Sequence, residues 1–319
     1  MLRVVRRGMI AAVAAGVMIT LLPPWRLRVE GLSMLPGLQP GSVVRIGWRE
    51  RLAAWWGALH RYDRWVVRAP DGGLAVKRLA GLPGERVGIR DGDLLVDGEP
   101  LLTPPPVLSE LASAVPASAT RGGDAHVRLA ATATVYDDCP QAVGERRLLL
   151  PVVDGGAWGV VCGGRGESRW WVRASLGGRS VTWRLHRGGT VAVVCGRLDG
   201  RFVAAAWPVG GTPPHRPDGA WAWPAGIPAA WPVNLAWEST VAADPFTATL
   251  ATGGATGGAV LDCGLWRDLL HRPPAGGGTE WTIDHAAVWV LGDNPAASRD
   301  CRSWGAIGRR LLVAPIAVE

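Results

Sequence analysis

Lysine is all but missing from this chain. Lys77 is the only one among 34 lysines and arginines in 319 residues. Tyrosine and phenylalanine number two each. The five cysteines, Cys139, Cys162, Cys195, Cys263 and Cys301, form no Cys-x-x-Cys pair, which argues against a zinc site. Six scattered histidines include no His-Glu-x-x-His, so no metal constellation is visible and neither metal nor cofactor is expected. No Gly-rich loop follows a strand and opens a helix with the spacing that a phosphate or dinucleotide needs. The arginines are scattered and accompanied by no nucleic-acid motif. The net charge of +7 and pI near 9.9 therefore point to an anionic membrane surface rather than to nucleic acid.

Tryptophan, glycine and proline are plentiful: 18, 44 and 25 residues. Together they predict short strands, many turns and little helix. A hydrophobic content of 48% excludes a polytopic membrane protein, and the length is enough for more than one folded unit. Arg3, Arg6 and Arg7 precede an apolar run from Gly8 to Leu22, closed by Pro23, Pro24 and Trp25. A cleaved secretory signal and an uncleaved signal anchor compete here. Large or rigid residues follow the run where a cleavable signal needs small ones, which favours an anchor over residues 8–25 with residues 1–7 cytoplasmic.

Lys77 lies in Leu74-Ala75-Val76-Lys77-Arg78-Leu79, among apolar neighbours. A guanidinium stays charged at any working pH, whereas a desolvated ammonium can lose its proton and act as a base. Lowering a lysine from about 10.4 to near 7 disfavours its charged form by roughly 4 to 5 kcal/mol, which burial can supply. Ser33 sits in Gly31-Leu32-Ser33-Met34-Leu35-Pro36-Gly37, where the flanking glycines and prolines predict a tight, exposed turn. Strands are expected over residues 26–30, 43–47, 63–69, 74–79 and 88–96, with turns at Pro70-Asp71-Gly72-Gly73 and Asp91-Gly92.

The Ser33 stretch resembles the nucleophile box of bacterial type I signal peptidases. Lys77 to Val87 is similar to the same family's lysine box, and Gly292-Asp293-Asn294-Pro295-Ala296-Ala297-Ser298-Arg299-Asp300-Cys301-Arg302 to its C-terminal box. The resemblance implies a mainly β, signal-peptidase-like antiparallel β catalytic domain with an N-terminal transmembrane helix and a β-rich insert. It implies a membrane-bound serine endopeptidase that removes N-terminal signal peptides from exported preproteins. Ser33 would be the nucleophile, its backbone N–H the oxyanion donor, Lys77 the neutral general base, and Ser298 the group that orients the lysine. Met34, Arg78, Asp293, Asn294, Asp300 and Arg302 would support the site, and Val29, Gly31, Leu74 and Val76 would flank the substrate as strands. The expected partners are preprotein signal peptides and membrane lipid. The expected location is the cytoplasmic (inner) membrane, crossed once, with the catalytic domain on the extracytoplasmic side.

Gly31, Gly37, Pro295 and Cys301 depart from commoner residues of the family, and Cys301 reads as packing. The boxes place the catalytic domain at residues 26–102 and 281–319. Residues 103–280 are then a linker, over Thr103 to Gly123, and an insert expected to be either an antiparallel sandwich or an extension of the catalytic sheet. Gly210 to Pro232 and Ala251 to Gly258 read as loops. An extracytoplasmic location would allow Cys139, Cys162, Cys195 and Cys263 to pair, in an order the sequence does not fix. Two further readings remain: a dedicated processing peptidase for a single secretion substrate, and a catalytically inactive anchored binding module.

Overall fold

The computed structural model describes residues 25–135, 152, 154–164, 169–186, 188–210, 223, 226–237, 246–273 and 278–316. The apolar run of residues 8–22 and Cys139 lie outside the described residues. Among the described residues no helix is long and apolar enough to cross a membrane. The protein is mainly β, with 52% strand and 8% helix. It divides into two compact units, Met1–Val87 with Pro273–Glu319, and Gly88–Arg272.

Trp25, expected at the close of the apolar run, instead opens β1 (Trp25–Arg28), which pairs antiparallel with β2 (Val43–Ile46). A helix absent from the sequence reading follows, α1 (Trp48–Trp56). Its Arg-Glu-Arg-Leu-Ala-Ala run consists of good helix formers, with Glu50 in the first turn to complement the dipole. Next come β3 (Arg64–Arg68) and β4 (Leu74–Gly81), joined through the expected turn, in which Gly72 takes a positive φ.

β5 (Arg86–Arg90) carries the chain onward, and β6 (Asp93–Val96) pairs with β7 (Glu99–Pro100). Asp91 and Gly92, and then Asp97 and Gly98, all adopt positive φ, the backbone of a two-residue hairpin turn. The expected linker is in fact ordered as α2 (Pro105–Leu111), β8 (Ser113–Val115) and β9 (Ala117–Arg121). Proline at the first helical position costs no hydrogen bond, and α2 buries Leu108 and Leu111.

The rest of this unit is β10 (His126–Ala131), β11 (Gly155–Gly163), β12 (Arg169–Leu176), β13 (Arg179–His186), β14 (Thr190–Leu198), β15 (Arg201–Val209), β16 (Val233–Ala236), β17 (Thr247–Gly254) and β18 (Gly258–Arg267). Two antiparallel sheets result, ordered β13-β12-β17-β10-β9 and β16-β15-β14-β11-β18-β8. Of the two expected forms for the insert, it is the sandwich. One core, including Val127, Leu129, Val172, Leu176, Val193, Phe202 and Leu250, joins residues of both sheets. A second, of Leu108, Trp158, Val194, Val203, Trp207, Trp231 and Trp266, packs on the other side of the six-stranded sheet. That sheet is thus covered on both faces, which is why β14 reads as the continuous apolar run Val191–Cys195 whereas β12 alternates. The expected loop over Ala251 to Gly258 is only a short turn. Gly253 lies within β17, where a Cβ would press on the Trp171 ring.

The chain then returns through β19 (Glu280–Thr282), β20 (Ala287–Leu291), α3 (Cys301–Trp304), β21 (Ile307–Gly308) and β22 (Leu312–Pro315). Of these, β20, β21 and β22 complete the five-stranded sheet of the first unit, ordered β21-β20-β4-β3-β22. Among the described cysteines, Cys162, Cys195, Cys263 and Cys301 are free thiols.

Candidate active site

β4 lies between β3 and β20, and its register places Lys77 opposite Trp65 and Arg78 opposite both Arg64 and Leu291. Successive strand residues point to opposite faces, so Lys77 and Arg78 serve different neighbourhoods. The Lys77 side chain is buried, at 2% exposure, and its Nζ donates to Ser298 Oγ over 3.0 Å. Burial pushes the amine down to about 8; Asp300 works against the shift and Arg302 reinforces it.

Asp300 is fully buried and holds Arg302 bidentately, with Arg302 Nε on Oδ1 and Nη2 on Oδ2, each at 2.8 Å. Its Oδ2 also accepts from Gly292 N, and it is hydrogen-bonded to the Ser298 hydroxyl. Burial alone would raise the Asp300 carboxyl, but the Arg302 guanidinium overrides it and holds the group below the usual range. A carboxylate that takes the Ser298 proton leaves the Ser298 oxygen free to accept from Lys77. The lone pair of a neutral amine then faces away from Ser298.

Ser33 stands half-buried in the turn that follows Gly31, with Leu35 N bonded to Leu32 O and Leu38 N to Met34 O. Met34 and Leu38 belong to the same core as Val44, Ile46 and Val66, so this turn is anchored by its own apolar residues. Asn294 fastens it to the C-terminal box: its N–H donates to Ser33 O at 3.0 Å and its side-chain amide to Leu32 O at 3.1 Å. Gly292 completes the junction. A Cβ at this position would overlap both Ser33 O and Ser298 Oγ, which places the serine turn and the lysine's partner against one backbone atom. Gly292→Ala should therefore lower turnover by about 10²-fold while leaving the chain folded, the cost typical of a displacement of about 1 Å; cleavage rate and melting temperature measured side by side check it.

Arg78 reaches Asp293 with two bonds, Nε to Oδ1 at 2.8 Å and Nη2 to Oδ2 at 2.7 Å, and donates from Nη1 to Tyr62 O. Arg64, which the sequence did not single out, brings its Nε to 4.0 Å of Asp293 Oδ2. Its position before β4 in a generic Arg-Trp-Val-Val run carried no signal. Gly37 is explained here too, because a Cβ would strike Asp293 Oδ2. Cys301 is fully buried, its sulfur accepts from Val290 N, and burial pushes its thiol up to about 12, consistent with packing. The pairing of β20 with β4 ends at Arg78, so Leu74 to Lys77 have a strand partner on one side, in β3. Leu74 is exposed, Val76 and Val29 are half-buried and Gly31 is exposed.

Residues 1–139 match the pattern of a family described as signal peptidase, peptidase S26. Over that stretch, which is less than half of the chain, the protein is similar to signal peptidases. It is similar to signal peptidase I V of Bacillus subtilis (strain 168), at 32% identity over 77 residues, 24% of this chain and 44% of that protein. It is also similar to signal peptidase I of Bacillus caldolyticus, at 36% identity over 80 residues, 24% of this chain and 42% of that protein. The chain thus spans less than half the length of these relatives. The structure brings Lys77, Ser298, Asp300 and Arg302 into one network, and ties the Ser33 turn to it through Asn294 and Gly292.

A second cluster, in the Gly88–Arg272 unit, was not foreseen. Asp93, Asp154 and Asp199 each place a carboxylate oxygen within 4.8 Å of the others. Asp154 Oδ1 is 3.3 Å from Arg197 Nε and its Oδ2 accepts from Asp199 N. Burial, then the neighbouring Asp154, pushes Asp93 up to about 8; burial raises Asp268 to about 7 and Asp199 well above the ordinary range. Arg197 and retained protons thus balance the charge. An aspartate whose folded pKa exceeds its unfolded value contributes stability that is full below about pH 4 and is lost as pH rises through the folded pKa. The melting temperature should therefore fall between pH 5 and pH 8, and Asp93→Asn should flatten the slope in a calorimetric pH series.

Proposed function

We propose that this chain is a membrane-anchored serine endopeptidase that cleaves signal peptides from exported preproteins. The supporting observation is the buried, depressed amine of Lys77, which lies within the region that matches signal peptidases and is bonded to Ser298 from the far end of the chain. In this mechanism Ser33 Oγ attacks the scissile carbonyl carbon as Lys77 Nζ accepts the hydroxyl proton. The resulting ammonium returns that proton to the leaving amine nitrogen. Water, deprotonated by the same amine, then hydrolyses the acyl-serine. Ser33 N–H donates to the oxyanion, and the backbone around it is uncrowded: a Cβ added at Gly31 would still lie 4.0 Å from that nitrogen.

The substrate adds as an extended strand along Leu74 to Val76, facing Val29 to Gly31, with small residues at one and three positions before the cut, as in the family it resembles. The apolar run of residues 8–22 serves as the single membrane anchor, with the catalytic unit on the extracytoplasmic side. Cleavage of a preprotein in detergent micelles, followed across pH with the new N-terminus sequenced, tests this reading. The base must be neutral, so kcat/KM should rise with pH through an apparent pKa near 8. An absence of cleavage on several preproteins would overturn the peptidase reading and favour a binding role. Cleavage of one secretion substrate alone would mark a dedicated processing enzyme.

A further inference from the structure

The two sheets of the Gly88–Arg272 unit differ in one respect. The six-stranded sheet has apolar side chains packed on both faces, whereas the five-stranded sheet buries only one. On β12, Trp170, Val172, Ala174 and Leu176 are buried, so Arg169, Trp171, Arg173 and Ser175 point the other way. The register sets Trp171 opposite Arg184 and Arg173 opposite Thr182 on β13, and aligns Arg128 of β10 with Thr249 of β17 on the same side. Arg128, Arg169, Arg173 and Arg184 are all exposed. The five strands contain six arginines and not one aspartate or glutamate.

Guanidinium groups that stabilised the fold would have carboxylate partners, yet among the described residues these five strands offer none. Arg173 is positioned instead by Thr182 Oγ1, at 3.0 Å from its Nε, and by the Trp171 ring, whose centroid is 5.5 Å away. The centre of the face is flat, because Ala251 and Gly253 lie beside these side chains. A broad array of cations with hydroxyls and one half-buried indole complements a plane of phosphates. Base stacking on nucleic acid needs several aromatic rings in a row, and among the described residues of these strands only Trp171 faces outward.

We propose that the outward face of β13-β12-β17-β10-β9 docks on an anionic lipid bilayer, with Arg128, Arg169, Arg173 and Arg184 on the lipid phosphates. This surface goes beyond the peptidase reading and does not depend on it. The test offers the full chain to vesicles of phosphatidylcholine alone and of phosphatidylcholine with phosphatidylglycerol, at 0.1 M salt or below so that screening stays modest. The N-terminal apolar run and the arginines before it are the same in wild type and variants, so the change in the ratio of the two partition coefficients between them reads the charged face. Each arginine near an anionic surface is worth about fivefold, so the triple variant R169Q/R173Q/R184Q should lower the ratio by about a hundredfold. The triple Arg→Lys variant should restore most of it, which separates lost charge from lost fold. An unchanged ratio in the Gln variant would overturn the proposal. So would retention of poly(U) RNA by the wild type but not by the Gln variant with the lipid ratio unaltered, which would assign the face to nucleic acid.

Discussion

Lys77→Arg and Ser33→Ala should each lower preprotein cleavage by at least about 10³-fold, and the double variant should be scarcely worse than either alone. The arginine variant is the sharper, because it keeps the positive charge and forbids the deprotonation. If Lys77→Arg retained cleavage with the wild-type pH profile, the general-base assignment would fall. Lys77→Met carries a second expectation of opposite sign. Below about pH 8 the folded chain holds a charged amine at 2% exposure, whereas the unfolded chain solvates it. That cost is full below about pH 8 and fades as pH rises to the unfolded value of 10.5. The methionine variant should therefore be inactive yet more stable at pH 7, by an amount on the order of 3 kcal/mol, visible as a raised melting temperature.

Asp293→Ala should be the most damaging substitution for stability in the first unit. It removes the carboxylate that takes two bonds from the buried Arg78 and lies 4.0 Å from the buried Arg64. Stripping one partner from a buried ion pair leaves an uncompensated charge and costs about 3 to 5 kcal/mol. The melting temperature should drop by roughly 10 °C, at about 2 to 4 °C per kcal/mol for a domain of this size. Replacing both partners, as Arg78→Met with Asp293→Leu, should recover part of the loss, since Arg78 is then no longer stranded and only Arg64 loses a nearby carboxylate. A double variant as unstable as Asp293→Ala would mean that Arg78 acts through contacts other than this pair.

Local structure was legible where it is local in sequence. A solitary lysine in an apolar strand announces burial, which Lys77 shows, and the glycines and prolines around Ser33 announce a turn, although its serine is half-buried rather than exposed. The turns at Asp91-Gly92 and Pro70 to Gly73 and the strands they join follow from the same local rules. What stayed hidden is non-local. Asp93, Asp154, Asp199 and Asp268 meet only because four separate strand ends converge, and each alone looks like a solvated surface charge. Arg64 joins Asp293 across more than two hundred residues, and Gly292 gives no sign in sequence that two oxygens crowd its α-carbon. The two helices were missed for another reason: the stretch of α1 carried no expectation, and the prolines of α2 suggested a linker, while helix formers and a tolerated N-terminal proline decided otherwise.

The adjacency of Lys77 and Arg78 on β4 has a bearing on how this site tolerates change. Because the two side chains emerge from opposite faces, a slip of β4 by one residue would unseat both: in one direction Arg78 takes the place of Lys77 before Ser298, and in the other Lys77 takes the place of Arg78 before Asp293. A slip of two residues would keep each side chain on its face but carry Lys77 about 7 Å along the strand, out of reach of Ser298. The register that β3 and β20 impose on β4 therefore guards the site, while the Pro70 to Gly73 turn can vary in length without moving it.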